Sequence, residues 1–311
     1  MSDFIISRWN FSSAKAQLET PDAQPIEANN WYHCQRDQPG LRQWLMENHI
    51  SEGVIDSLLA DDTRPRFESY DDDSFLIILR GINLNQGSEP DDMLSLRILW
   101  HQGALISTRK VPSRAVSTLI NQLEQGKGPK SLDAVLVSMM NGINRLIADF
   151  LTPIEDKINE LEGEEQINLD TLNLLHFRLL KLRRYLKPQR YVFEDLISAE
   201  VTPLEAQKTQ VKNGLDLILR INESIEFYMD QINHQLANVA QRQSEVMNRN
   251  TYLFSIIAGI FLPASFFTGL LGVNIGGMPG VDSPTAFTVF CIALVVVSVA
   301  EVIILRKLRF I

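Results

Sequence analysis

The chain is short of the residues that metal binding and covalent chemistry most often use. Its 311 residues include only two cysteines, Cys34 and Cys291, and five histidines. Two thiols so far apart make neither a disulfide framework nor a CxxC metal clamp. His33, His49, His101, His176 and His234 are scattered, and none has metal-ligand spacing. No GxxxxGK[ST] loop occurs, which argues against ATP-driven work of the P-loop kind. The acid clusters Asp61-Asp62, Asp71-Asp72-Asp73 and Asp91-Asp92 have no Ser, His or Cys beside them in a nucleophile–base pattern. They read as solvated loop charge, and the chain reads as no enzyme. Met1-Ser2-Asp3-Phe4-Ile5 lacks the basic start and apolar core of a signal peptide, so the front portion is expected to stay in the cytoplasm. A net charge of −9 argues against a nucleic-acid partner and suits a surface that tolerates cations.

Charge is also missing from most of the last sixty residues. Leu253 to Leu271 carries none, and Ala286 to Ile304 carries only Glu301. At about 1.5 Å per helical residue, each segment can cross a hydrocarbon core of roughly 30 Å. The loop between them holds one ionisable residue, Asp282, and no Lys or Arg. Arg242 and Arg249 precede the first span, while Arg306, Lys307 and Arg309 follow the second. Positive flanks stay cytoplasmic, so both chain ends are expected in the cytosol and the loop outside. Overall composition hides this hairpin, since 45% apolar and 22% charged residues are ordinary soluble values.

Residues 1–130 read as a mixed α/β unit. Ser74–Gly81 is an apolar run of strand length. Leu94–Trp100 and Ala104–Thr108 look like a hairpin turning at Gln102-Gly103, in a largely antiparallel sheet. Leu41–Ala60 and Ser113–Gln125 are expected as covering helices, and Gln125-Gly-Lys-Gly-Pro129 closes the unit. Residues 131–202 read as a helical hairpin, with Pro153 a local interruption, Gly163 a stop and Pro188 interior to the second helix. A third helix is expected over 203–271, with Thr202 as N-cap, Pro203 at its first position and the first span at about 251–271. Helix of that length, about 100 Å, reads as a stalk that enters the membrane directly. An outer loop (272–285), a second span (286–305) and a basic tail (306–311) complete the plan.

The stalk helix has two distinct faces. Ile225, Ile232, Val239, Val246, Leu253 and Ile260 recur every seven residues, reinforced by Met229, Leu236 and Ile257. This is an apolar seam made for packing on neighbouring helices. About 200° around lies a second series: His234, Gln241, Asn248, Ser255, Leu262 and Gly269, with Ala237, Ser244, Thr251, Ala258 and Ser265 three residues after each. Nearly all are small, or polar and uncharged. A solvated surface accounts for the early members but not for those inside the apolar span. Close helix–helix packing is one explanation there. A hydrated path at the centre of a symmetric bundle is the other, and one hairpin cannot enclose such a path without oligomerising. Asn274, after Gly272-Val273, would sit at its outer mouth and offer a neutral oxygen to a hydrated divalent ion. Gly272 would allow a backbone turn that a Cβ obstructs.

Gly272-Val273-Asn274, followed by Met278-Pro279, resembles the Gly-Met-Asn-type signature of the CorA family of divalent-cation transporters. The resemblance runs back through Ile154-Glu155-Asp156-Lys157 and Leu179-Leu-Lys-Leu-Arg-Arg-Tyr-Leu-Lys-Pro188. It implies a CorA-like funnel: an α+β cytoplasmic domain, a long stalk helix and two C-terminal transmembrane helices, assembled as a homopentamer. It implies a selectivity filter at Gly272, Val273 and Asn274, with Asn274 as a transient site for a hydrated cation. It further implies pore positions at Asn248, Thr251, Ser255, Ala258, Leu262, Ser265 and Gly269, with Leu262 a hydrophobic constriction. Val273 replaces the signature's Met, Leu271 an aromatic, and the loop Ile275-Gly-Gly-Met-Pro-Gly280 lacks the acidic residue common after the Asn. Those departures resemble the ZntB zinc-transporter branch and imply Zn²⁺ uptake across a cell inner membrane, with Mg²⁺ or Co²⁺ as the alternative cargo. The same branch raises proton coupling, although no carboxylate lies on the pore face as a relay. No tightly bound cofactor is implied. The rival readings are a membrane-anchored enzyme and an anchored scaffold coiled coil.

Overall fold

The computed structural model describes residues 3–13, 15–71, 73–162, 168–273, 280 and 283–307. Two compact units emerge, Met1–Gln235 and Leu236–Ile311. The first is built on a sheet of seven strands: β1 (Ile5–Asn10), β2 (Gln17–Glu19), β3 (Asn30–Gln35), β4 (Arg66–Asp71), β5 (Ser74–Gly81), β6 (Leu94–His101) and β7 (Ala104–Arg109). Their spatial order is β2-β1-β3-β7-β6-β5-β4. Every pairing is antiparallel except β3 with β7.

The local chemistry explains the pattern. The β6–β7 hairpin forms where expected, because Gln102 (φ 49°) and Gly103 (φ 76°) both take the left-handed conformation that a tight two-residue hairpin turn requires. β5 is buried at all eight positions, as an apolar run in the middle of a sheet covered on both faces should be. Two helices, α1 (Gly40–Glu47) and α2 (Glu52–Leu59), cover one face. There Leu41, Trp44, Leu45, Ile55 and Leu58 join Tyr32, Cys34, Leu76, Ile78 and Ile106 in one apolar cluster. The single helix expected over Leu41–Ala60 is therefore corrected to two. The Asn48 amide bonds the Trp44 carbonyl at 2.8 Å and the Ile26 N–H at 2.6 Å, and His49 follows at φ 61°, outside any right-handed helix. Strands β1 to β4, for which the sequence reading assigned no positions, complete the sheet.

Helices α3 (Arg114–Glu124), α4 (Leu132–Glu162), α5 (Leu169–Ser198) and the start of α6 (Lys208–Leu271) make up the rest of the first unit. Asn168 caps α5, its side-chain oxygen accepting the N–H groups of Asp170 and Thr171 at 3.0 and 3.2 Å. Pro153 and Pro188 lie inside continuous helices. Gly163, the expected stop, lies outside the described residues. The N-cap expected at Thr202 is Val201 instead, and Thr202–Gln207 is a 3₁₀ turn carrying Pro203 before α6 begins. A chain of amides ties four elements together. The Arg80 N–H on β5 donates to Gln189 Oε1 on α5 at 2.8 Å. Gln189 Nε2 donates to Asn144 Oδ1 on α4 at 3.0 Å, and Asn144 Nδ2 to the Gly214 carbonyl on α6 at 3.3 Å. Gln189 and Asn144 are wholly buried, so each bond is made where water cannot replace it.

One acid cluster departs from the loop-charge reading. The Asp91 carboxylate is buried and pairs with Lys181 at 3.0 Å and Arg178 at 3.8 Å on α5, and Asp92 also meets Lys181 at 3.0 Å. Hydrogen bonds from Lys181 to Asp92 and Asp91 raise the lysine's pKa. These acids staple the β5–β6 connection to α5.

The second unit holds the remainder of α6 and α7 (Ala286–Lys307). Both are long and apolar enough to cross a membrane, and neither span is buried within the chain. The apolar stretch of α4 also meets that length criterion, but half of it is buried, which fits a core helix of the first unit.

Two outcomes test this account. Gln189→Leu leaves Asn144 Oδ1 and the Arg80 N–H unpaired in the core, so unfolding of the first unit should become easier by about 2 kcal/mol or more, measured by denaturant titration. His33 is fully buried, and desolvation lowers its pKa from 6.5 to about 3. The unfolded chain therefore binds a proton that the folded one refuses, and stability should fall as pH drops from about 6.5 towards 3, by up to about 1.4 kcal/mol per pH unit. His33→Asn should flatten that acid limb in melts taken across this range.

Candidate functional site: one face of a long helix

Helix α6 changes surroundings along its length. In the first unit Val211, Gly214, Ile218, Ile221, Ile225, Tyr228, Met229 and Ile232 form a buried stripe at three- and four-residue spacing. The seam positions Ile225, Met229 and Ile232 belong to it. Farther along, Leu236, Val239 and Ile260 are half-covered, while Val246, Leu253 and Ile257 are exposed. The seam is thus a core contact at its start and an open apolar face later.

Within the second unit the half-covered positions of the α6 span include Ile256, Ile260, Pro263 and Ala264, which share one side of the helix. Asn248, Thr251, Ser255, Ala258, Leu262, Ser265 and Gly269 lie about 200° away at about 100° per residue, and all are exposed. α6 therefore aligns all seven of the expected pore positions on one face and turns that face away from its covered side. The face is uncharged along its whole length. Ser255 Oγ donates to the Thr251 carbonyl at 2.9 Å, which satisfies the hydroxyl inside its own helix and leaves its lone pairs outward. Leu262 is the one bulky member, 66% exposed.

The end of α6 is set by Gly272. Its N–H donates to the Thr268 carbonyl at 2.9 Å, and a Cβ built on Gly272 would stand 2.9 Å from that same oxygen. This is the obstruction that glycine avoids. Val273 follows, 46% exposed. Asn274 lies outside the described residues, as do Ile275 to Pro279 and Asp282.

Two features of the spans escaped the sequence reading. Pro263 sits inside α6, and its missing N–H leaves the Gly259 carbonyl without its intrahelical donor. A proline within an uncharged apolar run was the available signal. On α7, Ala286, Phe290, Leu294, Val297, Ser298, Glu301, Val302 and Leu305 form one half-covered face. Glu301 Oε2 is buried there with no hydrogen-bond partner among the described residues. Arg306 and Lys307 close the helix and complement its C-terminal dipole. Among the described residues, no three His, Cys, Asp or Glu side chains converge to hold a metal.

A sheet-and-helix unit, followed by a long helix that becomes the first of two unburied apolar spans, defines a class of two-span membrane protein. The chain belongs to the CorA-like Mg²⁺ transporter family, whose model matches residues 27–307. It is 44% identical over 307 residues to the zinc transport protein ZntB of Vibrio parahaemolyticus, covering 99% of this chain and 97% of that one. The crystal structure of that ZntB's cytoplasmic domain superposes with a TM-score of 0.74 at 41% identity, over 78% of this chain and 99% of that chain. The divalent cation transporter CmaX of Pseudomonas aeruginosa is 35% identical over 302 residues, 94% of this chain and 91% of that protein. The full-length CmaX structure matches with a TM-score of 0.81 at 32% identity, over 98% of each chain. The CorA magnesium transporter of Methanocaldococcus jannaschii shares the fold, with a TM-score of 0.78 over 99% of each chain at 18% identity.

A pair of glycine substitutions separates a water-lined face from a packing face. Gly272→Ala should destabilise the protein by about 1–3 kcal/mol, because the new methyl meets the Thr268 carbonyl. A Cβ at Gly269 meets nothing within 4 Å, so Gly269→Ala should be neutral or mildly stabilising. Thermal melting of the purified protein reads both. A loss at Gly269 as large as that at Gly272 would mean that the stripe packs against another helix.

Proposed function

We propose that this chain carries divalent metal cations across a membrane through a pore enclosed by a homo-oligomer, a pentamer by family resemblance, and that Zn²⁺ uptake is its main task. The observation that carries the reading is the exposed, uncharged face of α6 from Asn248 to Gly269, which leads to Gly272-Val273-Asn274. Rings of small hydroxyl, amide and glycine positions let a hydrated ion pass without holding it. Leu262 would form a ring that shuts by excluding water, and Asn274 an entrance ring of neutral oxygens. A hard-oxygen entrance suits a partly hydrated divalent ion and needs no His or Cys site. The choice of zinc rests on the loop Ile275–Gly280 and on the 44% identity to a protein named for zinc transport. Mg²⁺ and Co²⁺ are the competing cargoes.

In this reading residues 1–130 and 131–202 form the cytoplasmic body, and 203–271 the stalk and pore helix with its span at about 251–271. Residues 272–285 form the outer loop, 286–305 the second span and 306–311 a basic cytoplasmic tail. The lysine and arginine flanks of the spans support cytoplasmic termini in an inner membrane.

Flux into proteoliposomes tests the proposal. Zn²⁺ uptake should exceed Mg²⁺ and Co²⁺ uptake and grow with an imposed proton gradient. Asn274→Ala should lower the initial rate by about tenfold, equivalent to about 1.4 kcal/mol of barrier. Leu262→Ser should raise the resting leak. Preference for Mg²⁺ or Co²⁺, indifferent to pH, overturns the zinc assignment and keeps the pore. Undiminished flux through Asn274→Ala overturns the entrance ring, and no flux at all leaves an anchored enzyme or scaffold.

A further inference from the structure

One corner of the cytoplasmic sheet gathers positive charge in a chain whose net charge is −9. Arg97 on β6 is wholly buried and makes no ion pair among the described residues. Its guanidinium donates only to neutral acceptors: the Leu58 carbonyl at 2.7 Å, Ser95 Oγ at 3.3 Å and the Asp61 carbonyl at 3.4 Å. Arg36, Arg80 and Arg66 all stand close enough to repel it. Buried charges are ordinarily paired, because an unpaired one loses its hydration without compensation. Asp61 attracts Arg97, but as the weakest of the charges acting on it. Asp61 is 91% exposed and reaches Lys110 at 3.8 Å, while Asp62 is 84% exposed and meets Arg80 at 3.4 Å.

Three hydrogen-bonding groups around this cluster are buried and unsatisfied among the described residues: Arg36 Nη1, Thr63 Oγ1 and Thr108 Oγ1. Sheet register places them. Thr108 lies between Arg97 and Cys34 as the direct cross-strand partner of both, so the three side chains share one face. Arg36 is two residues beyond Cys34 and continues the ladder, its N–H donating to the Arg109 carbonyl at 2.8 Å. Thr63 caps the same corner from the loop after α2, and its carbonyl accepts Arg80 Nη2 at 2.6 Å and Nε at 3.2 Å. Thr108 is fully buried and Thr63 is 4% exposed. A guanidinium edge and two hydroxyls, all with donors to spare, thus belong to the same corner as a buried cation whose hydrogen bonds go to neutral oxygens.

We infer that this corner binds a small oxyanion of the phosphate class, held by Arg36, Thr63 and Thr108 and neutralising Arg97. Planar guanidinium forks match tetrahedral oxyanions, and hydroxyls complete the shell. Because the anion binds only the folded domain, it stabilises it by mass action. The site is separate from the cation path and stands whether or not that reading holds.

All four tryptophans, Trp9, Trp31, Trp44 and Trp100, belong to this sheet unit or its α1 cover, so tryptophan fluorescence of the full-length protein in detergent reports its melting alone. Inorganic phosphate, replacing gluconate at constant ionic strength, should raise the midpoint by several degrees in a saturable way. Arg36→Gln should melt no lower than wild type without phosphate, since it removes a repelling charge, and should lose the phosphate shift. Thr108→Val should keep its fold and show a smaller shift. An absent wild-type shift, or an equal shift in wild type and both variants, overturns the site. So does a chloride shift that matches phosphate. A larger shift with ATP keeps the oxyanion assignment and makes a nucleotide phosphate its source, whereas a shift with inorganic phosphate alone assigns the free ion.

Discussion

The first unit depends on a short relay of amides through its core. Gln189 and Asn144 carry hydrogen bonds from the β5 backbone through α5 and α4 to the Gly214 carbonyl on α6. Apolar packing alone would let three helices slide on a sheet at little cost, since hydrophobic contact is non-directional. Amides are directional, and inside a dry core each has one good partner. The relay therefore selects one register for α4, α5 and α6 relative to the sheet.

Helical periodicity gives α6 two distinct faces along its length. The side that buries Ile225 and Ile232 becomes an open apolar seam, and the small polar stripe falls opposite the half-covered positions Ile256 and Ile260. An uncharged stripe and an apolar seam are thus two sides of one helix.

Much of this was legible because it rests on period and punctuation. The β6–β7 hairpin shows in its alternation and in Gln102-Gly103. β5 shows as an apolar run, and the α6 stripe as a heptad series of small residues. What escaped depends on contacts between distant residues. β2 is three residues long and β4 has exposed positions, so neither carries a clear hydrophobic signal. The break between α1 and α2 has no Gly or Pro, only an Asn48 amide that bonds across to Ile26. Asp91 looks like loop charge until α5 is brought beside it. Gln189, Asn144 and Arg97 read as ordinary polar residues, because burial is a property of the assembled fold. Gly272-Val273-Asn274 was legible as a motif, and of its three residues Gly272 and Val273 belong to the described structure.

Gly214 also limits how α6 can move. A Cβ there would collide with the Asn141 amide oxygen and come within 2.6 Å of the Phe193 ring. Turning the helix about its own axis by one residue would bring Asn213 or Leu215 into a slot that admits only hydrogen. The slot acts like a key in a shaft: the helix is indexed at this end and cannot spin. A rearrangement of α6 at this end must be a tilt, a bend or a shift of the packed element, not a twist.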